Sequence, residues 1–347
     1  MYDYTQYTEY AVQQAVELLA CDSPTGYTQH AAQLIKDKFE SLGCRAFLTN
    51  KGGVGVELGG PDGTDTLLLQ AHADTLGGMV SEVKSNGRLK IVPLNGLRAN
   101  NCEAENCRVI TRKNGSFEGT FQLVNPSTHV NGEYDKTLRS FDVCEVILDE
   151  LTESAEETRA LGVGVGDIVC FEPRTRVTAS GYIKSRFLDD KLSVGILLAF
   201  AKYVKENNVL LPQKTYLHIT VYEEVGHGAA AIPRGFENIA EVLAVDMGCV
   251  GEGLSCTERK VSICAKDSDG PYSYDMVQKL VNAAEKTGAD YAVDIYPHYG
   301  SDAAATLRGG ADVRHGLIGP GVFASHGYER SHKQGVENTL KVLVGLM

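Results

Sequence analysis

Two hydrophobic rhythms run along this chain, and the switch between them divides it into three stretches. In residues 8–20 and 28–42 apolar positions recur every three to four residues, which predicts two amphipathic helices parted by the breaker-rich loop CDSPTGY. Short strands are then predicted at 45–48, 53–57 and 66–71, the last of which, TLLLQA, is apolar enough to be buried on both faces of a sheet. From residue 77 to 180 the pattern becomes a series of short β segments (MVSEV, RLKIV, FEGTFQLV, FDVCEVILDEL, GDIVCFEP) set apart by Gly, Asn and Pro, with helical spacing only at 154–161. Beyond it, helices are predicted at 190–205, 229–233, 273–287, 301–308 and 332–346, and strands at 214–222, 242–245, 261–265, 292–296 and 312–318. Alternating helices and strands on both sides of a β-only stretch predict an α/β domain, residues 1–76 with 181–347, interrupted once by a small β domain at 77–180.

Within the second α/β stretch, KTYLHITVYEEVGHG runs from Lys214 to Gly228 and ends an alternating strand on two adjacent carboxylates, Glu223 and Glu224. Neighbouring side chains on a regular strand point to opposite faces, so both acids can serve one cavity only if the backbone turns there, which Gly226 and Gly228 allow. By itself the pair reads as a solvated strand end, and a functional reading needs partners from elsewhere.

Composition narrows the setting. The chain has 347 residues, 43% of them hydrophobic, enough for a large core. No apolar run approaches the ~20 residues of a membrane span, and the N-terminal MYDYTQYTEY carries acids where a secretory leader is basic. A cytoplasmic protein without a membrane partner is the expectation. The nine scattered cysteines contain no CxxC pair and read as reduced thiols. A net charge of -12 argues against a nucleic-acid partner.

The partners sit at other strand ends. His72 and Asp74 follow TLLLQA, Asp189 and Asp190 follow SGYIKSRFL, Asp246 follows EVLAV, and His326 lies in the loop GVFASHGYER. Each alone has a plain structural explanation, such as a helix cap for Asp190. Together they form a set of imidazoles and carboxylates available to one crevice beyond the carboxyl ends of the strands. Such donors suit Zn²⁺ and its neighbours, and two ions roughly 3.5–4 Å apart need one bridging carboxylate. The His72-x-Asp74 spacing lets the Asp orient the imidazole. Spacing alone leaves open which of Glu223 and Glu224 is a ligand.

The motifs AHADTLGG (71–78), FLDDKLSVG (187–195), EEVGHGA (223–229), VDMG (245–248), GSDAAA (300–305) and the late His326 occur in the same order as in the glutamyl and deblocking aminopeptidases, the tetrahedral type of dinuclear metallopeptidases, which the chain resembles over essentially its whole length. The resemblance implies an α/β fold: a mixed-sheet, three-layer metallo-exopeptidase domain with an inserted β-barrel-like domain that mediates oligomerisation. It implies two divalent metal ions, zinc first and cobalt or manganese as alternatives. His72, Asp189, Glu224, Asp246 and His326 would be the ligands, with Asp189 bridging. Glu223 would be the general base, Asp74 the support of His72, and the Asp189–Asp190 peptide bond cis. The implied activity is removal of N-terminal residues from short peptides by a homo-oligomer, built from dimers and extending to a dodecamer. A deacylase or carboxypeptidase-like amidohydrolase on the same metals is the alternative, and a non-enzymatic assembly protein the more distant one. His227, inside EEVGHGA, departs from the commoner family spacing and has no assigned role.

Overall fold

The computed structural model describes residues 3–63 and 65–347. These form two compact units, one of residues up to 75 together with 174–347, the other of residues 76–173.

The larger unit begins with α1 (Thr5–Leu19), α2 (Gln29–Ser41), β1 (Arg45–Leu48), β2 (Val54–Gly59) and β3 (Thr66–His72). The smaller unit contains β4 (Gly78–Val83), β5 (Leu89–Pro93), α3 (Ala99–Cys102), β6 (Glu105–Ile110), β7 (Ser116–Leu123), β8 (Cys144–Leu148), α4 (Ala155–Ala160) and β9 (Ile168–Phe171). The larger unit then resumes with β10 (Arg176–Val177), β11 (Tyr182–Ser185), α5 (Leu188–Glu206), β12 (Thr215–Thr220), β13 (Ile239–Val245), β14 (Gly248–Val250) and β15 (Val261–Lys266). It closes with α6 (Tyr274–Thr287), β16 (Tyr291–Ile295), α7 (Asp302–Arg308), β17 (Arg314–Phe323), β18 (Glu329–His332) and α8 (Lys333–Gly345).

Among the described residues the larger unit holds one mixed sheet ordered β1-β2-β12-β3-β13-β17-β18-β11-β10, with β14 and β15 on β17 and β16 beyond β15. Every residue of β3 is buried, as expected for a continuous apolar run at the centre of a parallel sheet. β12 and β13 flank it in parallel, with Thr220 opposite His72 and Ala244 opposite Gln70. Their carboxyl ends therefore open side by side into one crevice.

Successive residues of β17 show why the sheet has a layer on each face. Leu317 packs with Leu68, Val242, Ala244 and Ala303 of α7, whereas Gly316 lies so close to α6 that a Cβ there would sit 2.6 Å from Met276 Cγ. The α/β, three-layer expectation for this unit holds.

In the smaller unit six strands close into a barrel, β4-β5-β8-β7-β6-β9, which leaves no sheet edge unpaired. Phe121, Phe171, Val109, Val146, Leu89 and Ile91 fill it.

Several elements differ from expectation. Residues 174–180 belong to the larger unit because β10 pairs with β11 in its sheet. The predicted helix at 229–233 is absent, and the segment forms turns and bends. The Thr306 hydroxyl donates to the Ala229 carbonyl (3.2 Å) and the Lys51 ammonium to the Gly228 carbonyl (2.7 Å), so these backbone groups are met by side chains from distant parts of the chain. The strand predicted at 214–222 ends at Thr220, and the short strands β6, β14 and β18 have no expected counterpart. β14 and β18, of three and four residues, are too short to separate from loop by periodicity, whereas the six residues of β6 do alternate between buried and less buried positions.

Candidate metal centre and active site

Four carboxylates and two imidazoles converge at the crevice, placed by strand ends, a helix start, a 3-10 turn and a loop. His72 is the last residue of β3, and Asp246 directly follows β13. Asp189 occupies the first turn of α5, where the Asp189–Asp190 peptide bond is cis. Glu223 and Glu224 lie in a single 3-10 turn bounded by Tyr222 and Gly226, both left-handed with φ of 71° and 77°. That turn lets both acids serve one cavity. His326, also left-handed with φ of 62°, sits between β17 and β18.

Asp189 is the centre of the arrangement. Its Oδ1 lies 3.0 Å from His72 Nε2, and its Oδ2 lies 3.7 Å from His326 Nε2. His326 Nε2 is in turn 3.6 Å from Glu224 Oε2. Donor atoms of His72, Asp189 and Asp246 all lie within 4.8 Å of one another, and so do those of Asp189, Glu224 and His326. Glu223 belongs to neither trio, although its Oε2 is 3.8 Å from His72 Nε2.

The donor set suits two divalent cations. Glu224 Oε1 is buried with no hydrogen-bond partner, an arrangement that costs free energy unless a cation or water meets it. Burial and the Asp189 charge push the Asp246 carboxyl up to about 7, and the same two causes raise Glu224 well above the carboxylate range. Burial raises Glu223 as well, aided by Asp246 and Asp302 and opposed by His72. At Asp189 burial also acts upward, but the hydrogen bond from His72 and the charges of His72 and His326 outweigh it and hold the carboxyl low. Burial lowers His72, yet the Asp189 hydrogen bond with the Glu223, Asp190 and Asp246 charges raises it well above its usual value. Cations between these groups would replace that mutual repulsion by attraction.

Asp74 acts differently from the expected carboxylate–imidazole pair. His72 Nδ1 donates to the Asp74 backbone carbonyl at 2.9 Å, while the nearer carboxylate oxygen is 3.7 Å away. The carboxylate instead accepts from the Thr25 hydroxyl (2.7 Å) and from the Glu223 backbone N–H (3.1 Å). Asp74 thus orients His72 through its peptide group and Glu223 through its side chain, because two residues beyond a strand end the chain has already turned.

Three further carboxylates brace the cluster, of which Asp190 was singled out from sequence only as a strand-end acid with a helix-cap reading, and Asp302 and Glu329 were not singled out. Asp190 accepts the His72 backbone N–H at 3.1 Å. Asp302, at the start of α7, accepts the Ala229 N–H at 2.7 Å and the Thr220 hydroxyl, bracing the Glu223 turn. Glu329 accepts from the backbone N–H of Asp189 (3.1 Å) and of His326 (3.0 Å), so one buried side chain holds two members of the second trio. GSDAAA was visible as a motif, but nothing local in YERSH marks Glu329 as internal. Its partners are 140 and 3 residues away.

The cavity over the cluster has a volume of about 260 Å³, lined by Asp189, Glu223, Glu224, Asp246 and His326 and walled by Tyr299, Ser301 and Arg308. His227 is exposed and does not line it, and its backbone N–H bonds the Tyr222 carbonyl at 2.9 Å.

A model of the M42 glutamyl aminopeptidase family matches residues 52–342. The chain is 43% identical over 328 residues to the Bacillus subtilis (strain 168) protein named "Putative aminopeptidase YhfE", covering 94% of each. Among solved structures it resembles a TET aminopeptidase from a marine sediment archaeon, Thaumarchaeota archaeon SCGC AB-539-E09, with a TM-score of 0.86 at 18% identity over 97% of this chain and 96% of that one. It also resembles the Pyrococcus horikoshii TET1 peptidase, which can assemble into a tetrahedron or a large octahedral shell, with a TM-score of 0.84 at 23% identity over 97% and 98%.

Proposed function

Given that this chain belongs to the M42 glutamyl aminopeptidase family, and so is an aminopeptidase whose family implies divalent metals, we propose that His72 and Asp246 hold one ion, Glu224 and His326 a second, and Asp189 both. The observation that carries this reading is the sharing of Asp189 by two ligand trios that leave Glu223 out. Bound there, two divalent ions supply Lewis-acid polarisation of a peptide carbonyl and ready deprotonation of water at neutral pH. Zinc fits this imidazole and carboxylate set first, with cobalt and manganese as alternatives.

The remaining work falls to the chain's own groups. Glu223 is the general base: its carboxylate takes a proton from the attacking water as the new C–O bond forms, then delivers a proton to the leaving nitrogen as the C–N bond breaks. Asp74 keeps that carboxylate in place through the Glu223 N–H, and bonds its own carbonyl to His72 Nδ1 so that Nε2 faces the cluster. Short peptides entering by their amino terminus suit a small acidic cavity. The nine cysteines, all free thiols, fit a reducing cytoplasm. Assembly into a larger shell is the quaternary reading that the TET structures support, and the resemblance to their family alone suggests dimers as its building block and the barrel unit as the oligomerisation module.

The test is metal analysis of the purified protein alongside a panel of aminoacyl and N-acyl substrates. Two ions per chain and cleavage confined to free amino termini are expected. Cleavage of N-acyl amino acids instead would favour the deacylase alternative, which family membership does not support.

A further inference from the structure

A second cavity, of about 370 Å³, lies against β12 and β1 and is lined by Phe47, Lys51, His218, Ile232, Pro233 and Arg234 among others. It shares no lining residue with the cavity over Asp189. Its size falls within the roughly 300–1,000 Å³ of small-molecule sites.

Among the polar side chains of its wall are His218, Arg234 and Lys51. His218 is 4% exposed in the middle of the sheet, between Gly55 of β2 and Gln70 of β3, and its buried Nδ1 has no hydrogen-bond partner. An apolar residue would fill that position without leaving a polar atom unmet. Burial and the neighbouring Lys51 lower the His218 pKa to about 3, so its ring is neutral and can hydrogen-bond without adding charge. Arg234 is exposed and makes no ion pair with any described residue. Lys51, the second cation, donates to the His227 and Gly228 carbonyls, which uses two of its three N–H groups.

The rest of the lining includes apolar side chains. Phe47 covers Gly55, where a Cβ would lie 2.4 Å from the ring, and stands edge-on to Phe236 at 5.7 Å. Ile232 and Pro233 complete that side. A guanidinium without an ion pair, an ammonium and an unmet imidazole in one lining with aromatic and aliphatic side chains suit a ligand with one small anionic end and a flat apolar body. We propose that this cavity is a binding site for a small organic carboxylate with an apolar body, separate from the site of peptide hydrolysis.

Arg234 meets the carboxylate in the bidentate geometry that a guanidinium favours, with the free N–H of Lys51 beside it. His218 satisfies its ring through the ligand, and the apolar body rests on Phe47, Ile232 and Pro233. Through Lys51 the occupied cavity is tied to His227 and Gly228, which follow the turn that carries Glu223 and Glu224. The inference rests on this wall alone and stands whichever peptide or amide the metal cluster cleaves.

Calorimetric titration of the metal-loaded enzyme with phenylacetate tests it, with acetate, phenylacetamide and inorganic phosphate as controls. One phenylacetate per chain is expected, with all three controls at least tenfold weaker. Arg234→Ala, at an exposed position, and Ile232→Glu, which adds a carboxylate to the apolar wall, are each expected to weaken phenylacetate tenfold or more while leaving KM for an aminoacyl substrate unchanged. The ring signals of His218 should shift on titration and those of His72 should not. Absence of binding at millimolar phenylacetate would overturn the proposal. So would unaltered affinity in Arg234→Ala, or a KM that rises with phenylacetate as for a competitor at the metal cluster.

Discussion

The two halves of the carboxylate cluster are built by different means. His72 and Asp246 come from the ends of adjacent strands, are 2% and 4% exposed, and inherit their positions from the ladder between β3 and β13. His326 and Glu224 come from a left-handed loop position and a 3-10 turn, and the His326 side chain is 38% exposed. A strand end is held by backbone hydrogen bonds whatever the neighbouring side chains are. The loop half has no such ladder and depends on Glu329, which ties the Asp189 and His326 peptides together. One half is thus fixed by the fold and the other by a side chain, with Asp189 common to both.

The largest effect should come from Glu223, which stands between the halves and belongs to neither. Glu223→Gln is expected to retain both ions by metal analysis yet to lose roughly 10²–10⁴ in kcat, and near-normal turnover would remove the base assignment. Next is the contrast itself. In Glu329→Gln an amide replaces one of two acceptors facing peptide N–H groups, so affinity for one of the two ions should fall about 10–100-fold while the other stays near wild type. Calorimetric metal titration reads this directly, and equal weakening of both sites would show that the halves are not independent.

Metal-free protein should reveal the buried half through its pH dependence. The Asp246 pKa is raised to about 7 by burial and Asp189, so its contribution to stability is fully present below the unfolded value near 4 and is lost as pH rises through about 7. Thermal melting of the metal-free protein is therefore expected to drop by on the order of 5 °C between acid and alkaline sides of that window, and by less in Asp246→Asn. Added metal should restore most at the alkaline end. The smallest effect is expected at His227, which lies outside the cavity: His227→Ala should leave kcat/KM within about twofold.

Much of this arrangement was legible before any coordinates. TLLLQA announces a buried central strand because only a parallel strand covered on both faces needs a continuous apolar run, and the polar residues that end such strands point to a crevice. The barrel unit was visible as a change from helical to strand spacing. The helix expected at 229–233 is absent, and Thr306 and Lys51, distant in sequence, donate to the Ala229 and Gly228 carbonyls there. Asp74 shows the same limit: its spacing from His72 suggested a side-chain contact, and the turn of the chain substituted its peptide carbonyl.

Sequence by itself showed where apolar runs give way to imidazoles and carboxylates, since periodicity and residue type are local properties of the chain, and so it supplied the inventory of such groups at the crevice. It could not divide that inventory. Which oxygen of Asp189 faces which histidine, that Glu223 falls outside both trios, and that Glu329 and Asp302 are buried braces were decided only by tertiary structure. These depend on distances between residues as much as 140 positions apart in the chain, and on burial, neither of which any single stretch of sequence contains.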